Sequence, residues 1–413
     1  MRKLIAFSLV SVLLAGSAMA SGFQVTAQSA RSLGMGLATT GVADDASAVH
    51  FNPGGLAFQT TGLVAGALVA TNTEGRYTGP SGLGEDQVSA LNLVPELYAT
   101  KQFGIVHFGL GVNTPFGLPI RWENRDTFSG RHVSYLANIR TLNVNPTVAA
   151  QITPNLGVAA GADWVHSKIQ LERRRAVSGF DVADAKLKSD ISDADGWGWN
   201  AGVLWRSGPW RAGASYRSEV EIEHEPTLAV TQILTGIAPI DAAVAATIPG
   251  APLDAEVPIE LPSSLNLGLA WVSPGGTTVA VEADRTDWSS FSQLIVNVPA
   301  QPAFNITRNT GWSDAWAYRV GLEVPCLGLQ CRAGVYRDET PQPLADVGPV
   351  LPDADRTGYT LGLGIPIGGG WKIDVGYVLV RFDDRTTTIG TTDHLAGLWE
   401  TTGQELAINL RLN

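Results

Sequence analysis

The sequence predicts an all-β protein, a 14-stranded antiparallel transmembrane β-barrel with an N-terminal plug inside its lumen. Three observations support this prediction: a secretion signal opens the chain, segments with strand-like alternation follow from residue 61, and the connections between them are alternately short and long. Period-two alternation and an even number of strands are typical of bacterial outer-membrane barrels. We therefore assign residues 61–413 to the barrel and expect the protein in the outer membrane as a multi-pass β-barrel.

Residues 1–20 have the pattern of a signal peptide. A basic pair is followed by an apolar run over residues 4–14, and small residues stand at Ala18 and Ala20, as at an A-x-A cleavage site. A membrane anchor is the alternative, but this run is too short to cross the ~30 Å hydrocarbon core as a helix. The mature chain is expected to begin at Ser21.

Residues 21–60, which we name the hatch, lack the alternation of strands. A disordered tail is the alternative, but the segment is too apolar for one. Its large apolar residues are Phe23, Val25, Leu33, Met35, Leu37, Val42, Val49 and Phe51. We expect the hatch to form a compact plug in the barrel lumen.

From residue 61 onward, apolar residues alternate with small or polar ones. A soluble sandwich would show the same alternation, so the pattern alone leaves both architectures open. The tryptophans favour the barrel, because indole rings form girdles at both membrane interfaces. The tryptophans near short turns are Trp205, Trp210, Trp271 and Trp371, and those near the opposite strand ends are Trp197, Trp199, Trp288 and Trp316.

The connections give the strand count. The short turns are 102–104, 153–155, 207–209, 273–276, 327–330 and 367–370. The long loops fall near 73–88, 114–134, 173–195, 225–258, 289–312, 341–354 and 385–402. Six short turns and seven long loops imply fourteen strands. The last segment ends in Asn413, whereas many outer-membrane barrels end in an aromatic residue.

Cys326 and Cys331 flank one of the short turns. In an exported chain they are expected to form a hairpin disulfide. A metal site is the alternative, but the turn between the two cysteines holds no histidine or acidic residue that could complete one. No metal or cofactor is predicted.

Composition and motifs argue against other functions. The net charge of −11 argues against nucleic acid as a partner, and acidic loops would suit a surface where divalent cations bridge anionic lipids and lipopolysaccharide. The six histidines are scattered and there is no G-x-S-x-G motif, so no catalytic residue is assigned, although a Ser/His pair could form across strands. A general porin would keep an open channel, so the hatch argues against one.

Several motifs, in this order and at this spacing, resemble the FadL/TodX family of outer-membrane transporters of hydrophobic compounds, over almost the whole mature chain. They are Gly22-Phe23-Gln24, residues 41–46, Asn52-Pro53-Gly54, residues 113–118, Gly130-Arg131, residues 142–146, residues 198–202, Tyr216-Arg217-Ser218, Leu261-Pro262, Asp287-Trp288-Ser289, residues 311–314 and residues 336–341. One departure is Ser313, where the family commonly has a lysine that helps to hold a fatty-acid carboxylate.

The resemblance implies passive transport. A hydrophobic molecule would enter between the extracellular loops, reach a site near the hatch N-terminus, and leave sideways through a defect in a strand. We expect long-chain fatty acids as substrates, with aromatic hydrocarbons as the alternative and a structural barrel or porin as the more distant one. A barrel with its own hatch needs no partner chain, so we expect a monomer.

The same resemblance gives the candidate site residues. Gating is assigned to Phe23, Asn52, Pro53 and Gly54; ligand binding to Phe23, Phe116, Arg173, Arg174 and Asp338; and lateral opening to Pro115 and Gly117. The run Arg173 to Arg175 could supply the charge that Ser313 lacks. The alternative for this run is a solvated loop base.

Overall fold

The computed structural model describes residues 21–89, 91–177, 179–180 and 183–412, so the predicted signal peptide and Asn413 lie outside it. Over the described residues, fourteen antiparallel strands form a closed barrel, which confirms the predicted fold. The strands are β1 (Thr61–Thr78), β2 (Leu91–Phe103), β3 (Val106–Asn113), β4 (Leu136–Thr153), β5 (Leu156–Ala176), β6 (Ser192–Ser207), β7 (Trp210–Arg217), β8 (Ser264–Val272), β9 (Thr278–Thr286), β10 (Ala315–Cys326), β11 (Leu329–Asp338), β12 (Arg356–Gly368), β13 (Trp371–Phe382) and β14 (Gly397–Leu412). β1 closes the barrel by pairing with β14.

Short elements fill the hatch and the long loops. The helices are α1 (Ala30–Gly34), α2 (Ala48–Phe51) and α3 (Ala238–Ala245), and the 3₁₀ turns are Pro53–Phe58, Trp288–Ser290, Pro302–Phe304 and Leu344–Asp346. The short strands are Gly84–Asp86, Gly117–Arg121, Asp184–Ser189, Val220–His224, Thr227–Gln232, Leu253–Asp254, Val257–Leu261, Gln293–Val296, Ile306–Asn309 and Arg385–Thr387. Within the described part of the chain, no helix has the length and hydropathy needed to cross a bilayer.

The long loops all lie at one end of the barrel, because antiparallel strands alternate in direction. We number them L1 (79–90), L2 (114–135), L3 (177–191), L4 (218–263), L5 (287–314), L6 (339–355) and L7 (383–396). L1, L3 and L7 are shorter than predicted, since the strands beside them continue to pair, for example Thr78 with Leu398. At the other end, Cys326 and Cys331 form a disulfide across the turn between β10 and β11.

The outer face of the barrel is apolar, as the alternation predicts. In β8, Leu265, Leu267 and Leu269 are exposed, whereas Gly268 between them is buried. Such a band is what the hydrocarbon core of a membrane requires. The assignment of Trp288 to an aromatic girdle is wrong, because the 3₁₀ turn at Trp288–Ser290 carries its ring into the interior, where it is fully buried.

The hatch packs against the inner face of the wall through glycines. At several glycines of the barrel wall, an added Cβ would lie closer than 3.0 Å to a hatch atom. We name this set the glycine belt: Gly202, Gly213, Gly268, Gly321, Gly334, Gly362 and Gly376. The absence of side chains therefore lets the hatch backbone lie directly on the strands.

Charged side chains also join the hatch to the wall. Arg31 in α1 donates to Glu323 of β10 from both Nε (3.1 Å) and Nη2 (2.9 Å). Arg211 of β7 pairs with Asp44 of the hatch at 3.0 Å. Burial would raise the pKa of Asp44, but Arg31 and Arg211 hold it well below its ordinary value. These pairs satisfy buried charges that would otherwise be costly.

Candidate functional site

Phe23, near the start of the hatch, lies in a cluster of aromatic rings. Its ring centroid is 4.9 Å from that of Trp288, 5.4 Å from Phe291, 5.8 Å from Phe116 and 6.3 Å from Trp312. We name these residues the aromatic cluster. Phe23 is 3% exposed. The structure thus brings together Phe23 and Phe116, the two aromatic residues assigned to ligand binding from the sequence.

The backbone holds Phe23 in this cluster. Gly117 donates its amide to the Phe23 carbonyl at 2.9 Å, and Val25 donates to the Pro115 carbonyl at 2.8 Å. Gly22 has a φ of +64°, and a Cβ there would lie 2.6 Å from the Trp288 ring. Glycine is therefore needed before Phe23, both for the left-handed backbone and for the close approach of the indole.

A small cavity adjoins the aromatic cluster. This inner cavity has a volume of about 80 Å³ and is mostly apolar. Hatch, barrel strands and loops all contribute to its wall. Its lining includes Phe23, Ile139, Ile169, Leu171, Val257, Ile259, Phe291, Leu294, Arg308, Trp312, Asp346 and Val350.

A larger outer cavity of about 460 Å³ shares a wall with the inner one. The residues common to both linings are Ile169, Leu171, Val257, Leu294, Arg308 and Val350. Most of them are apolar, and we name the two adjacent cavities, which lie between the loops and Phe23, the hydrophobic route. Concave, largely apolar sites with few polar groups are typical of small-molecule binding.

Arg308 is the charged residue common to both cavities. It donates from Nε to Asp346 Oδ1 at 2.8 Å, and its Nη1 pairs with Asp393. Burial disfavours the guanidinium charge, but Asp393 and Asp346 raise the pKa of Arg308 above its ordinary value. Burial also raises the pKa of Asp346, against the opposing effect of Arg308. Trp312 donates to the same carboxylate, from Nε1 to Oδ2 at 2.9 Å.

The three arginines from Arg173 to Arg175 have different surroundings. Arg173 lines the outer cavity, and among the described residues its buried Nε has no hydrogen-bond partner. Arg174 instead pairs with Asp126 and Asp184. The guanidinium of Arg175 stacks on the ring of Phe304 at 4.5 Å. Of the two arginines assigned to ligand binding, Arg173 alone contributes to the wall of the outer cavity.

Asp338 does not lie with the other ligand-binding candidates. It is 1% exposed, in reach of Arg319 (3.6 Å) and Arg356 (3.5 Å). It lines a separate polar cavity of about 50 Å³ that also includes His50. A buried carboxylate between two guanidinium groups is already compensated. The structure therefore gives Asp338 a place in the charged lumen and none in the hydrophobic route.

Asn52, Pro53 and Gly54 line neither the inner nor the outer cavity. The Asn52 side chain accepts from the Gly54 amide at 3.1 Å and donates to the carbonyl of Thr40 at 2.9 Å. It also donates to the carbonyl of Val203 in β6 at 3.0 Å. This motif caps the 3₁₀ turn Pro53–Phe58 and anchors the hatch to the wall.

Pro115 and Gly117 lie at a break in the third strand of the barrel. β3 ends at Asn113, and pairing resumes at Gly117. Pro115 therefore lies in the break and not within a strand, as expected for a residue that has no amide donor. The hatch closes this break, because Gln28 donates to the Thr114 carbonyl at 2.8 Å and accepts from Asn113 Nδ2 at 3.0 Å.

Sequence reasoning missed Arg308, Phe291 and the inward position of Trp288. The sequence position of Trp288 is compatible both with a strand end and with a loop, so no local signal distinguishes these two placements. Arg308 is the only basic residue of L5, without the adjacent arginines that drew attention to Arg173.

Comparisons with known proteins extend over nearly the whole chain. The family described as outer membrane protein transport protein (OMPP1/FadL/TodX) matches residues 11–410. The long-chain fatty acid transport protein of Salmonella typhi is 24% identical, over 90% of this chain and 90% of that protein. Outer membrane protein P1 of Haemophilus influenzae is 23% identical, over 92% of this chain and 93% of that protein.

Two solved structures share the fold. A FadL homologue from Pseudomonas aeruginosa aligns with a TM-score of 0.83 at 18% identity, covering 95% of this chain and 99% of that one. The toluene transporter TodX from P. putida aligns with a TM-score of 0.72 at 19% identity, covering 89% of this chain and 94% of that one. Identities this low establish the common barrel architecture and leave the substrate open.

Proposed function

Because the chain belongs to the OMPP1/FadL/TodX family of outer membrane transport proteins, we propose that it carries long-chain fatty acids by passive diffusion through its hatch-closed barrel. As a family member it is an outer-membrane transporter of hydrophobic substrates. The observation that carries the finer proposal is the pair of contiguous apolar cavities, with an unpaired guanidinium at the outer one and Phe23 at the end of the inner one.

A fatty acid matches this arrangement at both of its ends. Each methylene that leaves water contributes ~0.8 kcal/mol, and the apolar walls extend from the outer cavity to Phe23. The carboxylate needs a cation, and Arg173 can donate to it because no described side chain occupies its Nε. Charged hydrogen bonds of this kind contribute ~1.5–3 kcal/mol.

Aromatic hydrocarbons are the second candidate. The aromatic cluster favours them, and one structural neighbour is a toluene transporter. However, the inner cavity of about 80 Å³ is smaller than the ~150 Å³ that holds a benzene molecule elsewhere. Either substrate would therefore have to displace Phe23 to enter this cavity, but an aromatic hydrocarbon would make no use of Arg173.

Binding of oleate and of toluene to the purified protein separates these two candidates. In the Arg173→Ala variant, oleate affinity is expected to fall by roughly tenfold or more, because a charged hydrogen bond is lost. Arg174→Ala is the matched control, since Arg174 is paired with Asp126 and Asp184. Toluene binding that neither variant changes, together with little oleate binding to the wild type, would instead indicate aromatic hydrocarbons as the substrates.

We propose that Phe23 is the movable part of the hatch and that substrate leaves through the nearby wall. The residues around it are held by backbone hydrogen bonds to Pro115 and Gly117 and by hydrogen bonds from Ser21 and Gly22 to L6, whereas the rest of the hatch lies on the glycine belt. Between β2 and β3 the pairing stops at Leu97 and Val112, although β2 begins at Leu91. Displacement of the Phe23 segment would uncover the wall at Pro115, where the third strand of the barrel is interrupted.

Gly117 offers a direct test of lateral exit. An added Cβ would meet only Val25 Cγ2 at 3.7 Å and the Ile139 carbonyl oxygen at 3.8 Å, so Gly117→Ala should transport normally. Gly117→Phe is expected to fill the break and to reduce oleate uptake into cells at least tenfold, with the folded barrel retained on heat-modifiable gels. If Gly117→Phe took up oleate as fast as Gly117→Ala does, the proposal of lateral exit would be refuted.

We further propose that the protein acts as a monomer in contact with outer-membrane lipid and lipopolysaccharide. The barrel closes on itself through β1 and β14, so no second chain is needed to complete the wall. The relatives are transport proteins, and a catalytic role has no support from the site.

A further inference from the structure

The outer and inner cavities meet at a cluster of charged residues. Arg308 lines both cavities, Asp346 lines the inner one and Asp393 lines the outer one. All are nearly buried, with side chains 11%, 5% and 6% exposed respectively. A substrate that moves from the loops toward Phe23 must therefore pass this charged cluster.

The cluster joins three long loops, because Arg308 belongs to L5, Asp346 to L6 and Asp393 to L7. Arg308 Nη2 also donates to the Asp346 carbonyl at 2.8 Å. Gln342 of L6 supports this arrangement by donating to the same carbonyl at 3.1 Å. In addition, the amide of Thr392 donates to the carbonyl of Ala345 at 2.8 Å, which joins L7 to L6.

The two sides of the shared wall differ in rigidity. Ile169 and Leu171 belong to β5, whose backbone is paired with neighbouring strands on both sides. Arg308 lies on the loop side, in a short hairpin of L5 whose backbone bridges to Glu256 of L4 at Asn297. Widening of the passage must therefore come from the loops.

The closed arrangement leaves one polar atom unsatisfied. Asp393 Oδ2 is buried, and it has no hydrogen-bond partner among the residues that the structure describes. Gly348 of L6 lies so close to it that a Cβ on this glycine would clash with Oδ2. Moving L7 away would let water reach this oxygen. The gain in solvation would offset part of the lost ion pair, so the closed state is only modestly favoured.

We propose that Arg308, Asp346 and Asp393 form a gate between the outer and inner cavities, closed by ion pairs across L5, L6 and L7. This inference rests on the proposed transport function and adds a control point ahead of Phe23. Substrate would first occupy the outer cavity, with its carboxylate at Arg173. It would reach the aromatic cluster only after the loops separate at Asp393.

A weakened gate should speed transport. Asp393→Asn removes the charge opposite Arg308 at nearly constant volume, and oleate uptake into proteoliposomes is expected to rise by roughly tenfold. Asp384→Asn is the matched control, because Asp384 lies exposed in the same loop. Equal uptake rates for Asp393→Asn, Asp384→Asn and the wild type would overturn the gate.

A second experiment locks the gate, and it tests the proposal even if Asp393→Asn fails to fold. Ala345→Cys with Thr392→Cys places a disulfide where L6 and L7 already share a hydrogen bond. Once oxidised, this variant should bind oleate at the outer cavity but take it up at least tenfold more slowly, and reduction should restore uptake. Reduced wild type is the control, because it also loses the Cys326–Cys331 disulfide. Rapid uptake by the oxidised variant would refute the proposal.

The outcomes distinguish this gate from the proposed substrate. A wild type that carries toluene and not oleate would refute the fatty-acid assignment. The same variants measured with toluene would still decide whether the cluster is a gate.

Discussion

Gly334→Val is expected to displace the hatch from the barrel wall and to leave a leaky or unstable barrel. A Cβ at this position would lie 2.6 Å from Gly36 Cα of the hatch. Overpacking costs ~1–3 kcal/mol when side chains can move aside, but here the obstacle is backbone, so we expect the upper end or beyond. Cells that produce the variant should become sensitive to large hydrophilic antibiotics, and the purified barrel should unfold at lower temperature.

The control for this variant is Ala333→Val, the neighbouring position in β11, whose side chain points to the outer face. It adds a branched side chain to the same strand without touching the hatch. If Gly334→Val kept the barrel as tight and as heat-stable as Ala333→Val does, close packing of the hatch on the glycine belt would not be what seals the lumen.

Phe23→Ala is expected to produce the largest change in transport. The phenyl ring contacts every other member of the aromatic cluster, and loss of a buried phenylalanine side chain costs ~3–5 kcal/mol. Because this cost falls on the closed position of the hatch N-terminus, the open state should gain roughly a hundredfold or more in relative population. Oleate flux into proteoliposomes should rise accordingly.

Phe304→Ala serves as the comparison, since that ring stacks on Arg175 and is not among the rings that contact Phe23. It removes the same side chain from an outer loop. A flux through Phe23→Ala no greater than that through Phe304→Ala would show that the aromatic cluster does not hold the channel closed.

The barrel could be predicted from the sequence because its signals are local and repeated. Leu265, Leu267 and Leu269 alternate with small residues, as the outer face of every strand requires. Turns such as 207–209 recur at strand spacing, so the strand count follows from the connections. The resemblance predicts a binding site near the hatch N-terminus, from a short motif there, and Phe23 lines the inner cavity.

The rest of the site depends on contacts between distant segments. Trp288 and Phe23 are separated by most of the chain, and no local pattern indicates that they touch. Arg173 and Arg174 are adjacent in sequence, yet one lines a cavity and the other is paired with Asp126. That division arises from how L2 and L3 pack on β5, which periodicity does not encode.

The hatch also constrains the order in which the chain can fold. α1 lies against β12, β13 and β14, whereas the 3₁₀ turn Pro53–Phe58 lies against β4, β5 and β6. The seam between β1 and β14 joins residues far apart in sequence, a pairing that is slow to form. The glycine belt lies on seven different strands, so all of its contacts with the hatch form only when these strands surround it. We infer that closure of the seam and enclosure of the hatch are a single cooperative step.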